Sequence, residues 1–334
     1  MQASESIWAK PPVIVLQPVF SLWAPTSHQH PGTPHARNAS CMPQFLIAFY
    51  GDPPSLVCWT QIAPYPPVRN GEVMKTLSSR QLSLGGIRID ALEQSDLIQL
   101  LRPAEPTGGK LLIAHHNLHS LYLYETDRAF RDFYERASWV YIDGLPLVWL
   151  GRAAGLPFRT AHRITFLDSF DAILHDAVQH GRRIFYLGSS EQVIEAGLPL
   201  LRAAHPQLVI CGHHGFLATA AESEAVIAQI NDFQADILFV GMGMPIQEMW
   251  LAEHQEKINV RAILTSGGTL DYVTGHSYRP PEWAGRLGLY GVFRLFSDPR
   301  RLWRRYILEP ILLIGYLGRR LTRARRSANE ATVH

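Results

Sequence analysis

The sequence predicts an α/β protein: a Rossmann-like, mostly parallel sheet with helices on both faces, extended by a basic amphipathic C-terminal helical appendage. Three observations carry that prediction. Short β-rich runs recur along the chain, amphipathic stretches of helical length separate them, and arginines crowd the C-terminal end.

The β-rich runs are "KLLIA" (110–114), "WVYID" (139–143), "RIFYLG" (183–188), "LVICG" (208–212), "DILFVGMG" (236–243) and "RAILTSGG" (261–268). They are apolar nearly throughout rather than alternating, the pattern of strands covered on both faces. Between them lie stretches such as "SSEQVIEAGLPLLRAAH" and "TAAESEAVIAQINDF", whose apolar residues recur at helical spacing. Strand, helix and strand in that order mean βαβ crossovers and a parallel sheet.

The 334 residues, 47% of them hydrophobic, suffice for a substantial core. Residues 1–73 read differently. "PTSHQHPGTPHARNAS" and its neighbours are rich in Pro, His and Ser with no sustained period, which suggests a disordered extension or translation upstream of a start at Met74. Residues 74–288 are expected to form the Rossmann-like domain, and 289–334 the appendage.

Twelve of the 31 basic residues fall between Arg279 and Arg326, opposed by Glu282, Asp298 and Glu309, so this segment carries +9 and the rest of the chain −7. Such asymmetry implies an acidic partner. On a helical wheel Arg300, Arg301, Arg304 and Arg305 share one arc, with Leu302, Trp303, Tyr306 and Ile307 opposite. A cationic face backed by aromatics suits an anionic membrane surface and argues against nucleic acid; the alternative is an apolar face packed on the domain with solvated arginines. The apolar stretch "YILEPILLIGYLG" is about 13 residues and holds Glu309 and Pro310, short of the ~20 a membrane span needs. The N-terminal "PPVIVLQPVF" lacks the basic flank of a signal peptide, and Cys41, Cys58 and Cys211 have no disulfide or zinc spacing. A peripheral location on the cytoplasmic face of the inner membrane is expected.

In a parallel sheet, ligands bind at the carboxyl ends of the strands, where helix N-termini offer free N–H groups to anions. The residues to weigh are therefore His115, His116 and Asn117; Asp143 and Gly144; Gly188, Ser189 and Ser190; Gly241 and Gly243; Gly267 and Gly268. "GMGMPIQ" has Ile246 where a dinucleotide fingerprint needs its third glycine, and neither a P-loop nor a nucleophile elbow occurs. His115 and His119 stand four apart and His213-His214 lie elsewhere, but no Asp-x-Asp occurs, so no obligatory metal or other cofactor is expected. Asp143-Gly144 alone also fits a turn or a helix cap worth ~1 kcal/mol.

"WVYIDGLPLVWLGRAAG", "ILFVGMGMPIQEMWL", "SGGTLDYVTGHSYRPPEWAGRLGL" and "VFRLFSDPRRLWRRY", in this order, resemble the WecG/TagA/CpsF family of bacterial glycosyltransferases from about Leu82 to Arg320. Within the family the nearest likeness is to the xanthan-type exopolysaccharide β-1,4-glucosyltransferases. The resemblance implies a hexosyltransferase that inverts the anomeric centre, moving a sugar from a UDP-sugar donor to a polyprenyl-diphosphate-linked sugar. Glucose is the expected sugar; N-acetylmannosamine or its uronic acid is the alternative, and a non-catalytic nucleotide-sugar-binding protein or a sugar-nucleotide dehydrogenase are rivals.

The residue roles the resemblance implies attach only to matching positions. Asp143, followed by Gly144, stands where the family has its general base. His115 replaces the threonine of a Thr-x-Asn pattern, of which Asn117 remains. Arg163, Thr165 and Asp168 match an Arg-x-Thr-Gly-x-Asp pattern, with Phe166 for its glycine. Gln247 and Glu248 match a Gln-Glu pair expected near the donor, and Arg279 the arginine of an Arg-Ala-Pro expected to neutralise the leaving diphosphate. Tyr290-Gly291 replace a Glu-Trp. Gly188, Gly241 and Gly243 complete the expected substrate-binding set, and Arg300, Arg301, Trp303, Arg304 and Arg305 the membrane-binding one. An inverting transfer needs a carboxylate to take the acceptor proton and positive charge for the departing diphosphate, which these residues could supply.

Overall fold

Every central strand alternates between two separate cores. On the strand Ile237–Gly241, Ile237 and Phe239 join one hydrophobic cluster while Leu238 and Val240 join the other. Side chains alternate across a strand, so burial of both sets means helices cover both faces, which is why these runs read as apolar throughout.

The computed structural model describes residues 77, 80–102 and 109–332. The expected extension at 1–73 and the boundary at Met74 lie outside the described residues. In chain order the elements are β1 (Gln81–Leu84), β2 (Ile87–Asp90), α1 (Gln94–Leu101), β3 (Leu111–His116), α2 (Leu118–Thr126), α3 (Arg128–Arg136), β4 (Trp139–Ile142), α4 (Leu145–Ala153), α5 (Phe166–Gln179) and β5 (Arg183–Gly188). They continue with α6 (Glu191–Ala204), β6 (Val209–His213), α7 (Ala220–Asp232), β7 (Ile237–Gly241), α8 (Ile246–His254), β8 (Ala262–Thr265), α9 (Thr269–Val273), α10 (Glu282–Arg286), α11 (Tyr290–Ser297), α12 (Pro299–Trp303) and α13 (Glu309–Thr332).

The sheet is six-stranded in the order β4-β3-β8-β7-β5-β6, and every pairing in it is parallel. The chain runs from β3 outward to β4, then crosses through α5 to the far half of the sheet and returns inward to β8. The strand order therefore reverses beside β3 and β8. That is the switch point where a doubly wound sheet opens a crevice at its carboxyl edge.

β1 and β2 form a separate antiparallel hairpin. Its turn, Gly85-Gly86, has φ of 60° and 90° at both central positions, the left-handed pair that a two-residue hairpin turn requires. The hairpin is tied to the sheet edge where Val140 N–H donates to Asp90 Oδ2 at 2.7 Å.

The C-terminal segment is not one continuous helix. α12 ends at Trp303, a π-helical turn spans Arg304–Leu308, and Glu309 N–H bonds back five residues to Arg304 O. The wider turn inserts an extra residue and rotates the helix beyond it, so the wheel expected for one regular helix does not hold across the insertion. Past the turn, α13 lies against α2 through buried Leu313 and Leu317, which join the same cluster as Leu121. Arg320 pairs with Glu125 and donates to Gly85 O. The opposite face of α13 presents Ile311, Leu312 and Ile314 to solvent, with Ile311 63% and Ile314 67% exposed, and Leu308 at the end of the π turn is exposed beside them. Among the described residues no helix is long and apolar enough to cross a membrane.

Candidate active site

At the carboxyl edge lies a cavity of about 410 Å³, walled by β3, β4, β7 and β8 ends on one side and by the C-terminal segment on the other. Asp143 ends the β4 run. Its N–H donates to His116 O at 2.8 Å, which continues the sheet pairing one residue past the strand and delivers the side chain to the crevice. Gly144 adopts φ 94°, a left-handed conformation that suits glycine, and starts α4 with Pro146 in its first turn. The Asp143 side chain is 29% exposed, between core and solvent.

β3 delivers His115 to the same place. Its Nε2 faces Asp143 Oδ2 at 4.0 Å and its Nδ1 lies 3.0 Å from Thr265 Oγ1, at the end of β8. Burial pushes the His115 imidazole below its usual pKa, partly offset by the Asp143 charge, so the ring is neutral at pH 7. Next along, His116 is pushed down to about 3, first by burial and then by the charges of His115 and Arg88. It stacks on Tyr134 at 4.2 Å and bonds Ser120 Oγ at 3.0 Å, a packing role behind the site. Asn117 lines the cavity and also caps α2, accepting from Ser120 N at 3.0 Å.

The stretch before α5 brings Arg163 and Thr165 into the wall. Arg163 donates to Thr165 Oγ1 at 3.0 Å and to Asp168 Oδ2 at 3.3 Å. Asp168 also takes Tyr290 Oη–H at 3.4 Å and lies 3.6 Å from Arg279. Asp168 and Arg279 are thus at the rim, behind the lining residues. Arg279 is 50% exposed and pairs with Asp168 rather than reaching into the cavity.

From the β7 end, Gly243 and Gln247 line the cavity. Gln247 holds the loop after β8, accepting from Gly267 N at 3.3 Å, and donates to Glu248 Oε1 at 2.8 Å. Glu248 stands behind it, fully buried, its Oε2 without a hydrogen-bond partner; burial pushes its carboxyl up to about 7. Gly188 and Gly241 do not line the cavity. A Cβ on Gly188 would sit 2.4 Å from the Gly241 backbone, and one on Gly241 2.4 Å from Tyr186 Oη, so both glycines serve close packing of strand ends.

The C-terminal segment supplies residues that sequence reasoning assigned elsewhere or passed over. Arg305, expected on the membrane-facing arc, lines the cavity together with Arg294, Tyr272 and Tyr306. Arg305 and Tyr306 flank buried Leu302 on the helix and share its inward face, while Arg300, Arg301 and Arg304 stay exposed. Arg294 lies over the Tyr272 ring at 5.8 Å and Arg305 over Tyr306 at 5.7 Å. Arg305 Nε is buried with no hydrogen-bond partner. Gly291 makes room for this: a Cβ there would meet the Tyr306 ring at 2.8 Å. A run of arginines spaced through "VFRLFSDPRRLWRRY" was the available signal for Arg294, but a regular wheel does not separate inward from outward members.

Among the described residues the cavity is lined by one carboxylate, Asp143, and three guanidiniums, those of Arg163, Arg294 and Arg305. A partly desolvated carboxylate at a strand end can accept a proton, and converging guanidiniums can neutralise a diphosphate. Among the described residues no group of three or more His, Cys, Asp or Glu converges as metal ligands do.

The profile of the Glycosyl transferase WecG/TagA/CpsF family matches residues 82–327. Similar proteins include the N-acetylglucosaminyldiphosphoundecaprenol N-acetyl-β-D-mannosaminyltransferases of Staphylococcus aureus strains MW2 and NCTC 8325, each 25% identical over 256 residues, covering 76% of this chain and 97% of theirs. These relatives are mannosaminyltransferases, so the expected nearness to xanthan-type glucosyltransferases finds no support among them. With a family profile spanning most of its length and the motif residues gathered around one cavity, this chain belongs to the WecG/TagA/CpsF family of glycosyl transferases.

Proposed function

We propose that this protein transfers N-acetylmannosamine from a UDP-linked donor to a sugar carried on polyprenyl diphosphate, inverting the anomeric centre without a metal. The carrying observation is that the Asp143 carboxylate shares one cavity with the guanidiniums of Arg163, Arg294 and Arg305. Asp143 takes the proton from the acceptor hydroxyl as it attacks the anomeric carbon. The bond from that carbon to the UDP oxygen breaks, and the arginines stabilise the diphosphate as it leaves. The names of the relatives support N-acetylmannosamine and an undecaprenyl-diphosphate acceptor.

Glucosyl transfer is the second reading. The cavity wall departs from the family pattern at two places, where His115 and Tyr290-Gly291 stand for Thr and Glu-Trp, so a donor sugar other than that of the relatives is the one to test against it. Incubation with a polyprenyl-diphosphate-linked N-acetylglucosamine or glucose and a panel of UDP-sugars decides between them. Transfer from UDP-N-acetylmannosamine is expected. Exclusive use of UDP-glucose overturns the first reading, and tight UDP binding with no transfer from any donor makes the protein a binding module.

The acceptor's lipid requires contact with a bilayer, and the C-terminal segment supports peripheral docking there. Phe296 (78% exposed), Ile307, Ile311 and Ile314 stand clear of the domain beside the exposed Arg300, Arg301, Trp303 and Arg304. Exposed apolar groups rimmed by arginines suit the interface of an anionic membrane.

A further inference from the structure

Resting on the reading of Asp143 as the base, we propose that His115 is a positioning residue: the Thr265 hydroxyl fixes the imidazole so that its Nε2–H holds the Asp143 carboxylate toward the acceptor.

The three groups come from three adjacent elements of the carboxyl edge, β3, β8 and the residue after β4. Thr265 is fully buried and His115 only 6% exposed, so neither is free to choose another partner from solvent. The backbone beneath the ring is pinned as well, since Tyr134 Oη–H donates to His115 O at 2.8 Å. The groups facing the ring are Asp143, the hydroxyl and backbone of Thr265, the Tyr141 ring at 5.5 Å, the neutral His116 beside it, and the charge of Arg305.

An ionised carboxylate only accepts hydrogen bonds, so the tautomer that can hold Asp143 is the one protonated at Nε2. Nδ1 is then an acceptor, and the Thr265 hydroxyl at 3.0 Å donates to it. This is the arrangement in which a third group orients a ring against a catalytic one. The burial that keeps the imidazole neutral keeps it in the donor-acceptor form this chain of bonds needs. The 4.0 Å from Nε2 to Asp143 is about 1 Å longer than a hydrogen bond, so the device requires the carboxylate to close that gap when substrate binds. A threonine in place of His115 could not span from β8 to Asp143, which makes the device particular to a histidine here.

The test compares His115→Phe, His115→Gln, Thr265→Val and Asp143→Asn by steady-state kinetics on the UDP-sugar that supports transfer. A glutamine carries an N–H near the Nε2 position but does not need Thr265. His115→Phe is expected to lower kcat about 100-fold with the donor KM little changed, because a misheld base costs rate rather than affinity. His115→Gln restores most of that loss. Thr265→Val lowers kcat in the native background and adds nothing in the His115→Gln background. A raised donor KM with native kcat overturns the proposal, as it would mean His115 contacts the donor; equal loss in the Phe and Gln variants also overturns it. If His115→Phe does not fold, nitrogen-15 spectra of the full chain decide: protonation of His115 at Nε2 is expected, and at Nδ1 refutes it. The two readings fail separately. Native turnover in Asp143→Asn sinks the base assignment, whereas a dead Asp143→Asn beside a fully active His115→Phe sinks only the positioning role.

Discussion

Glu309, the first residue of α13, bonds His119 Nδ1 at 2.5 Å, and each side chain is at most 14% exposed. His119 lines the cavity, so this pair fastens the appendage to the wall of the site itself. Together with Leu313, Leu317 and the Arg320–Glu125 pair it forms the seam that holds Arg305 and Tyr306 inside.

Loosening that seam should cost activity before it costs the fold. Leu313 is 1% exposed, and truncating such a leucine to alanine removes ~2–5 kcal/mol of packing. For Leu313→Ala, hydrogen exchange is expected to quicken in α13 and the π turn while β3, β7 and β8 stay protected, with UDP binding weakened. Uniform loss of protection would show that the seam supports the whole domain.

The arginines of "RRLWRRY" should divide by function. Arg305→Ala removes a cation from the cavity and is expected to weaken UDP binding about 10- to 100-fold, the range of a charge-assisted hydrogen bond. Replacing exposed Arg300, Arg301 and Arg304 together should leave UDP affinity unchanged and reduce sedimentation with anionic liposomes, more so at low salt. Equal effects of both changes on UDP affinity would refute the division.

Asp143→Asn keeps the size of the side chain and removes the base. Turnover should fall by about 10²- to 10⁴-fold with UDP affinity retained, measured by calorimetric titration beside the rate assay. Loss of UDP binding would assign Asp143 to the donor site instead.

Stability should respond to pH through two opposed groups. His116 is depressed to about 3, so its contribution is present above pH 6.5 and is lost as pH falls toward 3. Glu248 is raised to about 7, so its contribution is present below pH 4.5 and is lost as pH rises to 7. Glu248→Gln removes only the second effect. Urea unfolding should show the variant gaining on the native protein from pH 4.5 to about 7, by about 3 kcal/mol in all, and then levelling off. A difference independent of pH would mean Glu248 is not held protonated.

How much of the site was legible depends on the range of each signal. Asp143 could be placed because a polar residue ending an apolar run marks a strand's carboxyl edge, and parallel strands bring all such edges together. Gly243 obeys the same rule at β7, whereas Gln247, inside α8, was placed only by its match to the family's Gln-Glu pair. Gly188 and Gly241 obey it too, yet they serve packing, because two adjacent strand ends approach more closely there than any side chain allows. Arg279 matched a motif but stands at the rim against Asp168, and the motif carries no information on depth.

The sequence by itself determined the sheet, its helical cover, the location of Asp143 and the cationic, apolar character of the C-terminal segment. Those depend on periodicity and composition, which are local. Only the tertiary structure decided that Arg305 turns inward while Arg304 stays out, that Thr265 meets His115 across neighbouring strands, and that Glu248 is buried beside Gln247. Each depends on packing between segments far apart in the chain, which local periodicity does not encode.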